Sequence, residues 1–285
     1  MPKTIKRSLT PMFAMVPLAA EPLWHVGSFP ITNSLVNAVI VTFGFCVIAS
    51  ITSEKAAMIP KGAYNIIEAV VETLLNEIEK VVGEAKKARA FFPLIATIFL
   101  FVLANNWLGL IPGTGTIGIY EVIHGEVELV PLLRPAGSDL NFTLALALVT
   151  VVVSHMAGVR AVGAFDYFSK FVNFKGIWKS LGKGPMAIIT AVIEFGVGFI
   201  EIIGEVAKTL SLSLRLFGNV LAGEILMGVM LGLVSYVVPI PFIFLEILVG
   251  IVQATVFSML SLVYLMIATT PHGGHDEEHH EVATH

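Results

Sequence analysis

Five long apolar runs, separated by short polar stretches, organise this chain. Residues 34–52 ("SLVNAVIVTFGFCVIASIT") contain no charge and are closed by Glu54 and Lys55. Residues 91–112, 142–162 and 242–269 form three more runs long enough to cross a bilayer as helices. Residues 186–237 form a longer one, interrupted by glycines. Residues 61–89 follow another pattern. Ile66, Ile67, Val70, Val71, Leu74, Leu75, Ile78, Val81 and Val82 recur at helical spacing, with Glu68, Glu72, Glu77, Glu79, Lys80 and Glu84 among them. Such a helix lies in the membrane surface or packs on other protein, and the two are compatible. The expectation is an all-α, polytopic membrane protein: five crossings and one amphipathic interfacial helix, the last two crossings long and strongly tilted as a hairpin.

Composition agrees. The chain is 56% apolar and only 13% charged, which excludes an ordinary soluble domain. In lipid the backbone must satisfy itself, so the spans are helices; alternating barrel-type strands are absent from the pattern. No basic stripe with interleaved aromatics points to nucleic acid. The one cysteine, Cys46, excludes an intrachain disulfide.

Lysine and arginine set the orientation. Lys55, Lys61, Lys80, Lys86, Lys87 and Arg89 lie between spans one and two. Arg160, Lys170, Lys175, Lys179 and Lys183 lie between spans three and four, whereas the opposite loops hold only Arg134. The positive-inside rule puts the rich loops in the cytoplasm, the N-terminus outside and the C-terminus inside. Three regions follow. Residues 1–30 are an extracytoplasmic tail, whose run 9–20 loosely resembles a secretory signal. Residues 31–269 are one integral-membrane domain. Residues 270–285 are a histidine-rich, disordered cytoplasmic tail.

The charges of the long segment carry the chemistry. As one helix, residues 186–230 measure roughly 68 Å against a hydrocarbon core of about 30 Å, so the helix tilts or bends. Glu194, Glu201, Glu205, Lys208 and Arg215 step by sevens, fours and threes onto one face, and Asn219 joins them. Glu224 points to the opposite side, roughly 13 Å beyond Arg215. Glu246 and Gln253 share a face of the last helix. An arginine at the middle of a bilayer costs at least ~2.5–3.5 kcal/mol. Glu205 and Lys208 are spaced to pair with each other. No acidic residue lies three or four positions from Arg215. Its counter-charge is either Glu224 or Glu246 across a hairpin, or a group on another chain. Gly218, Gly223, Gly228 and Gly232 suit close helix packing, and Gly218, beside Arg215, also suits a smooth surface against a moving neighbour.

The stretch "SLSLRLFGNVLAGE", residues 211–224, closely resembles the membrane-embedded stator subunit a of F-type ATP synthases. "PAGSDLNFTLALAL", "ANNWLGLIP" and "QATVFSMLSLVYL" fit the same family, and the likeness runs from the first span to Ala268. The resemblance implies a bacterial plasma (inner) membrane protein. Its partners would be a ring of c-subunits, b-type peripheral stalk subunits, lipid and the rest of the FoF1 complex. It would not be an enzyme on its own, and no cofactor or metal is implied. Arg215 would face the ring carboxylates and separate two offset aqueous half-channels. Asn219, Glu224, Glu246 and Gln253 would line the outer one, and Glu201, Glu205, Lys208 and Ser211 the inner one. The translocated ion is H⁺, with Na⁺ left open. Two departures stand out. Many relatives carry histidine where this chain has Glu246, and an acidic residue found in some members is here Gly109. A secondary transporter is the leading rival, disfavoured because no internal repeat is visible. A purely structural anchor is another, and it would not need Arg215 and several glutamates in one helix.

Overall fold

The computed structural model describes residues 20–54, 62–111, 117–123, 126–169, 185–233 and 239–270. The helices are α1 (Asn33–Glu54), α2 (Ala63–Val82), α3 (Ala85–Gly109), α4 (Leu140–Val162), α5 (Ala164–Ser169), α6 (Pro185–Leu233) and α7 (Pro239–Thr269). Five of them, α1, α3, α4, α6 and α7, are long and apolar enough to cross a membrane. Side chains such as Phe43 and Phe244 are about 70% exposed, on faces that in lipid meet a matching solvent. Hydroxyls within these apolar faces satisfy themselves locally. Thr42, Ser50 and Thr52 of α1 each donate to the carbonyl four residues earlier, at 2.7–2.8 Å.

The amphipathic helix is shorter than its pattern suggested. Gly83 adopts a left-handed conformation (φ 73°) and its N–H caps the Glu79 carbonyl at 2.9 Å, which ends α2. Lys86, Lys87 and Arg89 therefore belong to the start of α3 rather than to the surface helix. Two antiparallel hairpins interrupt the all-helical reading. One pairs β1 (Pro22–Val26) with β2 (Phe29–Thr32), across the boundary between the expected tail and the membrane domain, and turns at Gly27 (φ 64°). The other pairs β3 (Gly118–Ile123) with β4 (Glu126–Pro131). Residues 271–285 of the histidine-rich tail, the basic loop 170–184 and residues 9–19 of the signal-like run lie outside the described residues.

The chain divides into two compact units. The first takes the chain up to Ile59, Phe99–Thr143 and Leu214–Thr255; the second takes Pro60–Ile98, Leu144–Ser213 and the chain from Val256 on. The first is organised by polar contacts around a 3₁₀ turn, Ala136–Ser138. Ser34 Oγ donates to Asp139 Oδ2 at 2.9 Å, and Asp139 Oδ1 accepts the Asn141 N–H, capping α4. The second is built on an apolar cluster of Ile78, Ala88, Ile95 and Leu262, with Phe91, Phe92 and Met259 against it. The buried side of α2 thus packs on protein.

Candidate functional site

Helix α6 runs for 49 residues, about 74 Å, and carries most of the candidate residues. Ala207, Ser211, Arg215, Gly218, Asn219 and Ala222 are all exposed, a stripe at helical spacing. Gly218 has nothing within 4 Å of where a Cβ would stand. Among the described residues Arg215 makes no ion pair, whereas its charged neighbours along the helix do. The cross-hairpin pairing that the sequence left open for Arg215 is not formed.

Glu224 pairs elsewhere. Arg134 follows β4 and is 2% exposed; its Nε lies 2.9 Å from Glu224 Oε1 and 3.1 Å from Oε2. In the sequence Arg134 is distinguished only as a loop charge. The pairing spans 90 residues, and no local spacing announces it. Glu246 of α7 sets its carboxylate directly against the Cα of Gly223, where a Cβ would collide with both oxygens. Gly223 is therefore a close-approach glycine. It brings the Glu246 carboxylate against the residue that precedes Glu224.

Other polar groups of the first unit are buried with unmet hydrogen-bonding capacity. Asn37 Nδ2 donates to the Asn105 carbonyl at 3.3 Å, yet the Oδ1 atoms of Asn37 and Asn105 and both side-chain polar atoms of Asn106 lack partners among the described residues. Buried amides of this kind are ordinarily satisfied by water. Gly137 lies against Asn106 and Val220, and Gly250 against Trp107 and Asn106. Gln253 is half-buried on α7.

In the second unit, Lys208 Nζ donates to Glu205 Oε1 at 2.8 Å, forming the pair expected from their spacing, and lies 5.7 Å from the centre of the Tyr264 ring. His155, isolated in the sequence, joins them. Its Nε2 is 3.9 Å from Glu205 Oε2, and its Nδ1 is 2.6 Å from the Tyr167 hydroxyl. Gly163 (φ 97°) turns the chain from α4 into α5, and the Tyr167 ring lies on Gly158, where a Cβ would not fit. Burial, then the Glu205 charge, raises the Tyr167 phenol above its ordinary value, so it keeps its proton at neutral pH. Glu201 and Ser211 belong to this unit too. The residues expected to line an outer path all fall in the first unit, and those expected to line an inner path all fall in the second. Arg215 sits two residues past the division, which runs between Ser213 and Leu214.

Comparison with known proteins is consistent throughout. Residues 32–266 match the family model described as ATP synthase A chain. ATP synthase subunit a of Gloeobacter violaceus is 32% identical over 266 residues, covering 93% of this chain and 95% of that protein. Its counterpart from Moorella thermoacetica is 29% identical over 251 residues, 88% and 96% of the two chains. That of Geobacter sulfurreducens is 32% identical over 219 residues, 77% and 80%. With five membrane-length helices and the matched motif around Arg215, the chain belongs to the ATP synthase subunit a family, the proton-translocating Fo stators that are not enzymes on their own.

Proposed function

We propose that Arg215 is the barrier between two proton half-channels and faces the carboxylates of a rotating c-ring. The observation that carries this reading is the exposure of Arg215 on a small-residue stripe of α6, with no ion pair among the described residues. A permanently charged guanidinium in lipid needs an anion. A ring carboxylate brought past it supplies one. Arginine attracts that group as the anion and does not release its own proton, so it blocks direct passage from one path to the other.

The outer path uses Asn219, Glu224, Glu246 and Gln253 and delivers a proton to the ring. The unsatisfied amides of Asn105 and Asn106 support water in this unit. The buried Arg134 gives Glu224 a fixed counter-charge, so Glu224 serves as the anionic wall and Glu246 as the carboxylate that exchanges protons. The inner path uses Glu201, Glu205, Lys208 and Ser211 and releases the proton to the cytoplasm after nearly a full turn of the ring. The N-terminus lies outside, the C-terminus inside, and the membrane is the bacterial inner membrane. The b-type stalk subunits hold this stator against the torque of the ring. Membrane voltage contributes about 2.3 kcal/mol per charge per 100 mV.

The test is Arg215→Ala in vesicles carrying the assembled complex. ATP-driven proton pumping is expected to vanish while passive proton leak through the membrane sector is kept or rises. Normal coupled pumping would leave Arg215 without a gating role.

A further inference from the structure

Four helices of the second unit bring side chains to one small recess. His155 and Ser154 come from α4, Tyr167 from α5, Glu205 and Lys208 from α6, and Tyr264 from α7. Its volume is about 10 Å³, close to the least that admits one water. Among the described residues, His155 meets the titratable groups of Tyr167 at one ring nitrogen and Glu205 at the other, with Lys208 behind Glu205 and Tyr264 beneath Lys208.

This arrangement has a direction. Each imidazole nitrogen has a separate partner, so the ring is positioned at Nδ1 and left to act at Nε2. The 3.9 Å between Nε2 and Glu205 exceeds a hydrogen bond. It is a distance that one water or a small side-chain rotation closes, and proton-transfer pairs are often loose at rest. A histidine needed only for packing would not require a carboxylate on one nitrogen, a hydroxyl on the other and a water-sized recess between.

We propose that His155 is a proton-transfer residue of the inner path, taking the proton from Glu205 and passing it to water in the recess. The inference rests on the reading that Glu205 lies on that path. In the direction of ATP synthesis, the O–H bond of protonated Glu205 breaks and its electron pair stays on the carboxylate. The proton bonds to the Nε2 lone pair once a side-chain rotation closes the 3.9 Å gap. The imidazolium then loses that proton to water and returns to its starting tautomer, with Nδ1–H donated to the Tyr167 oxygen throughout. Lys208 stabilises the Glu205 anion left behind. Tyr167 keeps its own proton and acts as a positioning residue. During ATP hydrolysis the same steps run in reverse.

The experiment uses inverted membrane vesicles carrying the assembled complex, so that the cytoplasmic face meets the medium. ATP hydrolysis coupled to the ring is measured with the gradient collapsed by an uncoupler, alongside rotor content as a check on assembly. His155→Gln keeps the volume and removes the base; His155→Ala leaves space for added imidazole. Both are expected to slow coupled hydrolysis about tenfold, below the usual effect of a positioned proton-transfer group because water competes. Imidazole in the medium is expected to restore His155→Ala and to leave His155→Gln and the wild type unchanged. Tyr167→Phe is expected to give a smaller loss. Wild-type rates in both His155 variants, or a slow His155→Ala that imidazole does not rescue, would overturn the assignment. Glu205→Gln separates the two levels. If it is slow while the His155 variants are normal, only the His155 step falls; if it too is normal, the inner-path reading falls with it.

Discussion

Arg134 Nε lies 2.9 Å from Glu224 Oε1, and the arginine side chain is 2% exposed. A residue of the connection between α3 and α4 thus reaches a carboxylate in the C-terminal part of the longest helix. A guanidinium stays charged when buried. Its nearest carboxylate is therefore part of the fold as well as of the proposed proton path.

Arg134→Ala is expected to lower the stability of the purified complex by about 3 kcal/mol, the usual consequence of removing one partner from a buried pair. Combined with Glu224→Gln, it is expected to cost less than the sum of the single changes, by roughly 0.5–3 kcal/mol. Thermal unfolding of single and double variants in detergent measures this; strict additivity would mean that the pair is not energetically coupled.

Arg215→Ala is expected to behave oppositely. Arg215 is exposed, with no ion pair among the described residues. Removing it should change thermal stability by no more than about 0.5 kcal/mol while abolishing coupled pumping. A large loss of stability would show that Arg215 is a structural partner.

Gly223→Ala puts a methyl group into the Glu246 carboxylate. The expected penalty is about 1–3 kcal/mol, as in other overpacked sites, with slowed pumping. Adding Glu246→Ala should recover the stability and not the pumping. Recovery of neither would place the cause of the Gly223→Ala defect elsewhere.

Tyr167 offers a test by pH. Burial first and the Glu205 charge second raise its phenol above the ordinary value. The folded state therefore holds this proton more tightly than the unfolded state. Its contribution to stability is fully present below the unfolded value, near pH 10, and is lost as pH rises through the higher folded value. Ultraviolet titration of tyrosinate should show one late-ionising group that is missing in Tyr167→Phe and shifts downward in Glu205→Gln. An unchanged titration in Tyr167→Phe would refute the shielding of Tyr167.

The linear pattern of residues was enough to place the five crossings, because a bilayer demands some twenty consecutive apolar residues for each helix. It was enough as well to make Arg215 conspicuous, because helical spacing alone shows that no acid stands three or four residues away. The Glu205–Lys208 pair was legible for the same reason, being one turn of helix. The end of α2 at Gly83 was less so. The apolar positions stop at Val82 while charged residues run on to Arg89, and only the left-handed backbone at Gly83 shows where the helix stops.

Tertiary structure decided the rest. Arg134 with Glu224 and Gly223 with Glu246 join elements distant in sequence, and nothing in local periodicity encodes such meetings. His155 read as an isolated polar residue because Tyr167 lies on a separate short helix, turned into place by Gly163. The two hairpins leave little mark on the linear pattern because their strands are only four to six residues long and sit among loop residues. Secondary structure in a membrane follows from local chemistry, since each segment must satisfy its own backbone and match its solvent. Which buried charges meet depends on packing between segments, and only the folded chain determines that.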